Sequence, residues 1–391
     1  MMLRPLAVVL AWIATGPVMG SPPPPSSPPR DLSTTAAKLA LELGVPGLAF
    51  AATDEQGIIA RGVAGVRASD GADPIRFDDR FHLGSLTKAM TATVAARLVE
   101  RGLIRWDSTL GSVSPELAAE IPEHTRGLTL ASLLTHRSGM PDDRNDMQLL
   151  GNLWMLQGDI TDQRFRASRT MLTRIGEPDG PRPFAYANAN YVVAAHMLEK
   201  VTGRPWEDLI ADELFGPLGL TCAGHGPPGM DDDQGAQPKG HARTPEGLRP
   251  MPALLGTDNP PVTGPAGRVH MSIGDLAAFA RAHLAGLRGR PGILTPETFA
   301  ALHTPPESGE YAFGWGIRGE PGHRVSSHAG SNTRWFALMF VVPDENLAVV
   351  VAMNAIPEPD GPIDALEVIR AALKDAGVLP VSTGPEPDPA P

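Results

Sequence analysis

Three short stretches of the sequence hold side chains suited to acyl transfer. In "FHLGSLTKAM", residues 81–90, Ser85 and Lys88 stand three positions apart, a spacing that puts two side chains on one face of a helix within mutual reach. An amine so placed can take the serine proton, provided it is neutral part of the time, and so create a nucleophile. Spacing alone fits equally well a helix-capping serine followed by an exposed lysine. Composition sharpens the pair: the chain has 5 lysines against 28 arginines, and of the five only Lys88 follows a serine by three. Arginine cannot give up its proton at useful pH, whereas lysine can.

The second stretch is "PFAYANANY", residues 183–191, which contains two of the three tyrosines in the chain. Tyr186 and Asn188 form a Tyr-x-Asn unit on a turn before a predicted helix. A phenol near an ammonium group can serve as a base, and an amide can orient both a substrate carbonyl and a lysine. By itself the unit also reads as a core aromatic and an N-cap asparagine. The third is "SSHAGSNTRW", residues 326–335, where a strand ends in His328, Gly330 and Ser331. Small residues there let a ligand approach the backbone, and His328 can donate or accept a proton. The N–H groups of Ser331 and Ser85 together would make an oxyanion hole. Taken singly, this stretch is a turn.

These residues need a scaffold, and the hydrophobic periodicity supplies one. Residues 32–43 and 85–101 read as helices, the latter with Leu86, Met90, Val94 and Leu98 on one face and Gly102 at its end. "LAFAATD" and "IIARGVAGVR" flank "EQG" as a hairpin. Helices are expected near 129–136, 164–175, 189–202 and 206–213, then a loop-rich stretch over 221–263 whose "GMDDDQG" reads as a solvated loop. Ser272 opens another helix containing Asp275. Strands follow at "YAFGWGIRG", "HRVSSHAG", "RWFALMFVVP" and "NLAVVVAMNA", with a last helix near 363–376. Strands, then helices, then strands is the order of an α+β fold: an antiparallel sheet flanked by helices, with a mainly helical region inserted. The sheet region is placed at about 31–84 and 264–380 and the helical region at about 85–263.

Residues 1–20 read as a secretory signal peptide: Arg4, an apolar run over about 6–14, and small residues before Ser21. That run is short of the roughly 20 residues a spanning helix needs, so stable membrane insertion is not expected. Residues 21–30, "SPPPPSSPPR", form a Pro-rich linker, 31–380 the folded domain, and 381–391 a disordered tail. A periplasmic or secreted location follows, and the oligomeric state stays open. A net charge of -11 argues against a nucleic-acid partner, leaving a small-molecule or peptide substrate. The single cysteine, Cys222, excludes an intrachain disulfide and reads as a small buried residue. No CxxC or HExxH is present, so no metal or other cofactor is expected. Nor is there a Gly-x-Ser-x-Gly of the α/β-hydrolases.

Ser-x-x-Lys at 85, Tyr-x-Asn at 186 and His-x-Gly at 328, in that order, resemble the penicillin-recognising serine hydrolases: class C β-lactamases, D-alanyl-D-alanine carboxypeptidases and related serine esterases. "LLTHRSGM" at 133–140, "GPAGRVHMSIGDLAAFA" at 264–280, and "YAFGWG" at 311–316 extend the likeness over nearly all of 31–378. The resemblance implies a β-lactamase/transpeptidase-like fold. It also implies roles: Ser85 the nucleophile, Lys88 its activator, Tyr186 the base and proton relay, and Asn188, His328, Gly330 and Ser331 the substrate-binding groups. An acyl-enzyme on Ser85 and cleavage of an amide or ester, of β-lactam or D-alanyl type, would follow. His136 and Arg137 are expected to be structural, His82 to pack behind the site, and Arg334 to form a surface ion pair, with reach to a substrate carboxylate as its alternative. His328 stands where many members carry lysine, which weakens the case for an efficient β-lactamase. A carboxylesterase, or a non-catalytic cell-wall or ligand-binding relative, are the alternatives.

Overall fold

A computed structural model describes residues 28–230, 237–306, 309–319, 324–357 and 362–379. The leader, most of the linker, the aspartate run at 231–233 and the C-terminal tail read from the sequence lie outside the described residues. The strands are β1 (Arg30–Asp31), β2 (Gly47–Thr53), β3 (Ile58–Gly65), β4 (Arg80–His82), β5 (Gly224–His225), β6 (His241–Thr244), β7 (Gly247–Pro250), β8 (Val269–Ser272), β9 (Gly316–Arg318), β10 (Val325–Ser331), β11 (Phe336–Val342) and β12 (Leu347–Met353). Seven form the main sheet, in the order β1-β3-β2-β12-β11-β10-β9.

β2 and β12 are apolar along their length and buried at every position, the pattern of central strands covered on both faces. They pair antiparallel, with Ala49 opposite Ala352 and Ala51 opposite Val350, so segments from the two ends of the domain share one sheet. On one face Leu48, Phe50, Val349 and Val351 pack with Leu39 and Leu43 from helix α1 (Ser33–Glu42) and its C-cap, and with Ile369 and Leu373 of the helix Pro362–Asp375. On the other, Ala49, Ala51, Met339 and Val350 join a larger core with Leu276, Phe279 and Ala280 of the helix Ile273–Leu287. That core runs on through helix α2 (Thr87–Glu100) into the helical region.

The fold is the α+β arrangement expected from the sequence, with two corrections to the sheet. β1 pairs with β3 in parallel, so the sheet is antiparallel everywhere except at that edge. "YAFGWGIRG" is a strand only over Gly316–Arg318. Its preceding Gly314 has φ +80°, and a Cβ there would lie 2.6 Å from the backbone of Ala89, so the segment turns sharply to press on α2. The loop-rich 221–263 stretch contains β5 and the β6–β7 hairpin. Two helices absent from the sequence reading, Met147–Trp154 and Pro296–Leu302, begin at Asp146 and Thr295, whose side chains cap Leu149 N–H and Thr298 N–H. The helix expected at 206–213 is α-helical over Trp206–Ile210 and widens into a π-helical turn over Ala211–Phe215. Cys222 is free and only partly buried, rather than a core residue.

Candidate active site

Ser85 lies in a single 3-10 turn, Gly84–Leu86, that runs into α2. Gly84 has φ +52°, a left-handed conformation that glycine takes without strain. The turn presses on the end of β10. A methyl group on Gly84 would sit 2.3 Å from the Ser331 nitrogen, and one on Gly330 would sit 2.8 Å from the Ser85 nitrogen. Only glycines permit this approach, which brings the backbone of the nucleophile turn and the backbone of Ser331 into contact.

Lys88 is fully buried. Its Nζ makes three contacts: Asn188 Oδ1 at 2.7 Å, the Ala266 carbonyl at 2.7 Å and Ser85 Oγ at 3.1 Å. Asn188 and Ala266 can only accept there, so two N–H bonds are committed to them, and the remaining position on nitrogen faces Ser85. As an ammonium, Lys88 donates to Oγ; as an amine, its lone pair receives the hydroxyl proton. One geometry serves both protonation states, which is what a proton acceptor for Ser85 requires. None of the three partners is a carboxylate.

Tyr186 is half-buried on the loop before the helix Asn188–Thr202, with Lys88 Nζ 4.8 Å and Arg144 Cζ 5.3 Å from its ring centre. The loop is held from two sides. His136, at φ +58°, accepts from Ala187 N–H (3.3 Å) and faces Asn190 Nδ2 (3.0 Å), and its own carbonyl accepts from Ala185 N–H. Burial, with Lys88 adding to it, pushes the His136 imidazole well below its usual range and keeps it an acceptor. From the opposite side Asp143 accepts from the N–H groups of Asn188 (2.8 Å) and Ala189 (2.7 Å), capping the helix. The "THRSG" stretch is therefore structural at His136, as the sequence suggested.

His328 is buried, with its Nδ1 2.6 Å from the Gly314 carbonyl. A carbonyl only accepts, so Nδ1 carries the proton. Burial lowers this imidazole to about 4, with the nearby Lys88 charge acting in the same direction, so at neutral pH Nε2 is an unprotonated acceptor. The Tyr311 ring lies 6.0 Å from His328 and 6.4 Å from Tyr186, which gathers all three tyrosines of the chain near the site, since the Tyr191 ring lies tilted 5.4 Å from His136.

The structure thus brings Ser85, Lys88, Tyr186, Asn188, His328, Gly330 and Ser331 to one locus, contributed by α2, the Tyr-Asn loop and the end of β10. His82 is fully buried beside it. Arg334 departs from expectation: its Nε is buried without a partner instead of joining a surface ion pair. Sequence reasoning missed four contributors. The Ala266 and Gly314 carbonyls act through the backbone and lie in quoted stretches, where a pattern of small residues was the only signal. Tyr311 was visible only through the scarcity of tyrosine, and Asp143 gave no signal.

A β-lactamase fold with a serine on a buried lysine defines a class, and comparison with known proteins gives the same one. A family model described as Beta-lactamase matches residues 32–374. The chain belongs to the β-lactamase family, within the penicillin-recognising serine hydrolases. Among curated proteins it is 27% identical to penicillin-binding protein 4 of Amycolatopsis lactamdurans, over 81% of this chain and 82% of that one. It is 28% identical to the unguisins hydrolase ungD of Aspergillus violaceofuscus over 52% of this chain, and spans only 36% of that relative's length. Among solved structures, EstCE1, a hydrolase with promiscuous acyltransferase activity, superposes with a TM-score of 0.71 at 18% identity, covering 87% of this chain and 97% of that one, a likeness of fold.

Proposed function

We propose that the protein is an exported hydrolase that forms an acyl-enzyme on Ser85 and cleaves esters or amides lacking a carboxylate beside the scissile bond. The observation that carries the reading is Lys88 Nζ, with two N–H bonds fixed on Asn188 and Ala266 and its third position turned to Ser85 Oγ. Lys88 takes the Oγ proton as oxygen attacks the acyl carbon. The oxyanion that forms is received by the N–H groups of Ser85 and Ser331. The bond to the leaving oxygen or nitrogen then breaks as Tyr186 gives its hydroxyl proton to that group and is reprotonated by the proton that Lys88 took from Oγ. Water attacks the acyl-enzyme in the second half, with the same groups running in reverse, and no cofactor enters either half.

The substrate class rests on His328. A lysine in its place would offer a permanent cation to a carboxylate. A neutral imidazole with Nδ1–H bound to Gly314 leaves a lone pair on Nε2 instead, and a lone pair repels a carboxylate while accepting from N–H or O–H. The penicillin-binding relative speaks for β-lactam binding, so the two are set against each other: hydrolysis of a chromogenic ester and of a chromogenic cephalosporin, with intact-mass detection of the adduct. The expected outcome is a higher kcat/KM for the ester and an acyl adduct lost in Ser85→Ala. Faster cephalosporin turnover would overturn the substrate class; absence of any adduct across esters, D-alanyl peptides and β-lactams would leave the non-catalytic relative. Export is tested by the N-terminal sequence of the mature protein, expected to begin near Ser21.

A further inference from the structure

The two backbone N–H groups assigned to the oxyanion belong to segments far apart in sequence, and a third segment contacts residues beside both. Asp258, buried in the stretch between β7 and β8, accepts through Oδ1 from Asn332 Nδ2 at 3.0 Å and from Asn259 N–H at 2.7 Å, and the same oxygen lies against His82 Nε2 at 3.0 Å, a close polar contact without hydrogen-bond alignment. Its Oδ2 accepts from Arg268 Nε at 3.0 Å. The other ring nitrogen of His82, Nδ1, accepts from Gly84 N–H at 3.1 Å, and Gly84 is the residue before Ser85. Asn332 is the residue after Ser331, and its Oδ1 in turn accepts from Arg334 N–H at 3.3 Å. All four side chains are at least nine-tenths buried.

We infer that Asp258 is a positioning residue for the oxyanion hole, one carboxylate oxygen fixing the nucleophile turn through His82 and the end of β10 through Asn332. The inference rests on the acyl-enzyme reading of Ser85 and adds a residue to it. Glycines at 84 and 330 allow the two backbones to touch, but contact alone does not set the direction of their N–H groups. Hydrogen bonds on the immediate neighbours of Ser85 and Ser331 do. Asparagine at 258 cannot replace the carboxylate. An NH2 turned to Arg268 would leave a buried, permanently charged guanidinium facing a donor, so the amide gives its oxygen to Arg268 and turns its NH2 to His82 and Asn332, donor against donor at both limbs.

Fluorophosphonate labelling and chromogenic ester hydrolysis test this on the full chain. In labelling, the Ser85 Oγ–P bond forms, fluoride leaves, and a negative phosphoryl oxygen develops where the oxyanion would. Loss of one oxyanion donor costs about 10²–10³ in rate, so misdirecting both without removing either is expected to lower kcat and the labelling rate of Asp258→Asn by ~10–100-fold, with KM nearly unchanged. His82→Asn, whose amide oxygen can keep Gly84 N–H but not reach Asp258, and Asn332→Leu each cut one limb and lose less. Adding either to Asp258→Asn is expected to cause no further loss, because that limb is already cut. A role in stability alone predicts a lower Tm, an unchanged kcat well below it, and additive effects; that outcome overturns the inference. Should Asp258→Asn not fold, the limb variants decide it by the same kcat and KM criterion. If wild type itself is not labelled at Ser85, the acyl-enzyme reading falls and this inference with it. Equal labelling of wild type and Asp258→Asn overturns the inference alone.

Discussion

Among the described residues two cationic side chains, Lys88 and Arg164, are wholly buried, and they are treated in opposite ways. Arg164, on the helix Ile160–Leu172, is bonded to the carboxylates of both Glu199 and Glu207, with the Val262 carbonyl at 3.3 Å. Glu199 is further fixed by Trp206 N–H at 2.9 Å. Lys88 has only neutral acceptors and a hydroxyl. A buried charge matched by carboxylates cannot be given up without stranding them, so the Arg164 cluster ties helices together and does nothing else. A buried amine held only by dipoles and a hydroxyl strands no counter-charge when a proton passes through it. The contrast separates structure from chemistry inside a single core.

The sharpest way to break this contrast is Lys88→Met. The side chain is of similar length and cannot accept a proton, so ester kcat/KM is expected to fall by about 10²–10⁴, the usual range for a general base. Thermal stability is expected to hold or rise, since a desolvated cation is replaced by an apolar chain. A variant that keeps activity while losing Tm would make Lys88 structural. Arg164→Met is the mirror experiment. It strands two carboxylates, and is expected to cost about 3–5 kcal/mol of stability in denaturant unfolding, while leaving kcat measured well below Tm nearly unchanged.

The same contrast explains what was legible in the sequence. Lysine scarcity singled out Lys88, and rare tyrosines singled out Tyr186, because composition records exceptions. The helix carrying Ser85 and the central strands β2 and β12 were readable because burial imposes periodicity or continuous apolar runs. Arg164 was not readable, being one arginine of 28. The Gly314 turn was read as strand because apolar and aromatic residues flank it; what makes it a turn is contact with Ala89, a residue more than 200 positions away. Asp258 and Asp143 act on distant backbone groups, and no local pattern encodes that.

A pH comparison sharpens the difference further, because the two regions titrate with opposite sign. His328 is lowered by burial from 6.5 to about 4. Between those values the unfolded chain takes up a proton that the folded chain refuses, so its contribution is complete above pH 6.5 and is lost as pH falls towards 4. Glu199 is raised by burial from 4.5 to about 7, despite Arg164 beside it. Its contribution is complete below pH 4.5 and is lost as pH rises towards 7. Each slope has a ceiling of about 1.4 kcal/mol per pH unit. Removing His328 by His328→Gln is therefore expected to flatten the acid side of the stability curve over pH 4–6.5, and Glu199→Gln to remove a fall over pH 4.5–7. Unfolding curves at half-unit pH intervals check both, and slopes of the same sign would refute the comparison.

The smallest effect tests the one carboxylate that could undo the contrast. Asp143 holds Asn188, a direct partner of Lys88, and feels the lysine charge. If it were a counter-ion for Lys88, the lysine would be no freer than Arg164. Its two oxygens, however, accept from the backbone of Asn188 and Ala189, and burial raises its carboxyl above the usual value even against those bonds. It therefore acts as a cap on the helix Asn188–Thr202. Asp143→Asn exchanges one acceptor for a donor and is expected to cost about 1 kcal/mol of stability, the usual worth of a lost cap. Transmitted to Asn188, the same energy would slow ester turnover by about fivefold at most. A loss of rate comparable to that of Lys88→Met would mean that Lys88 depends on a carboxylate after all, and that its burial is balanced in the same manner as that of Arg164.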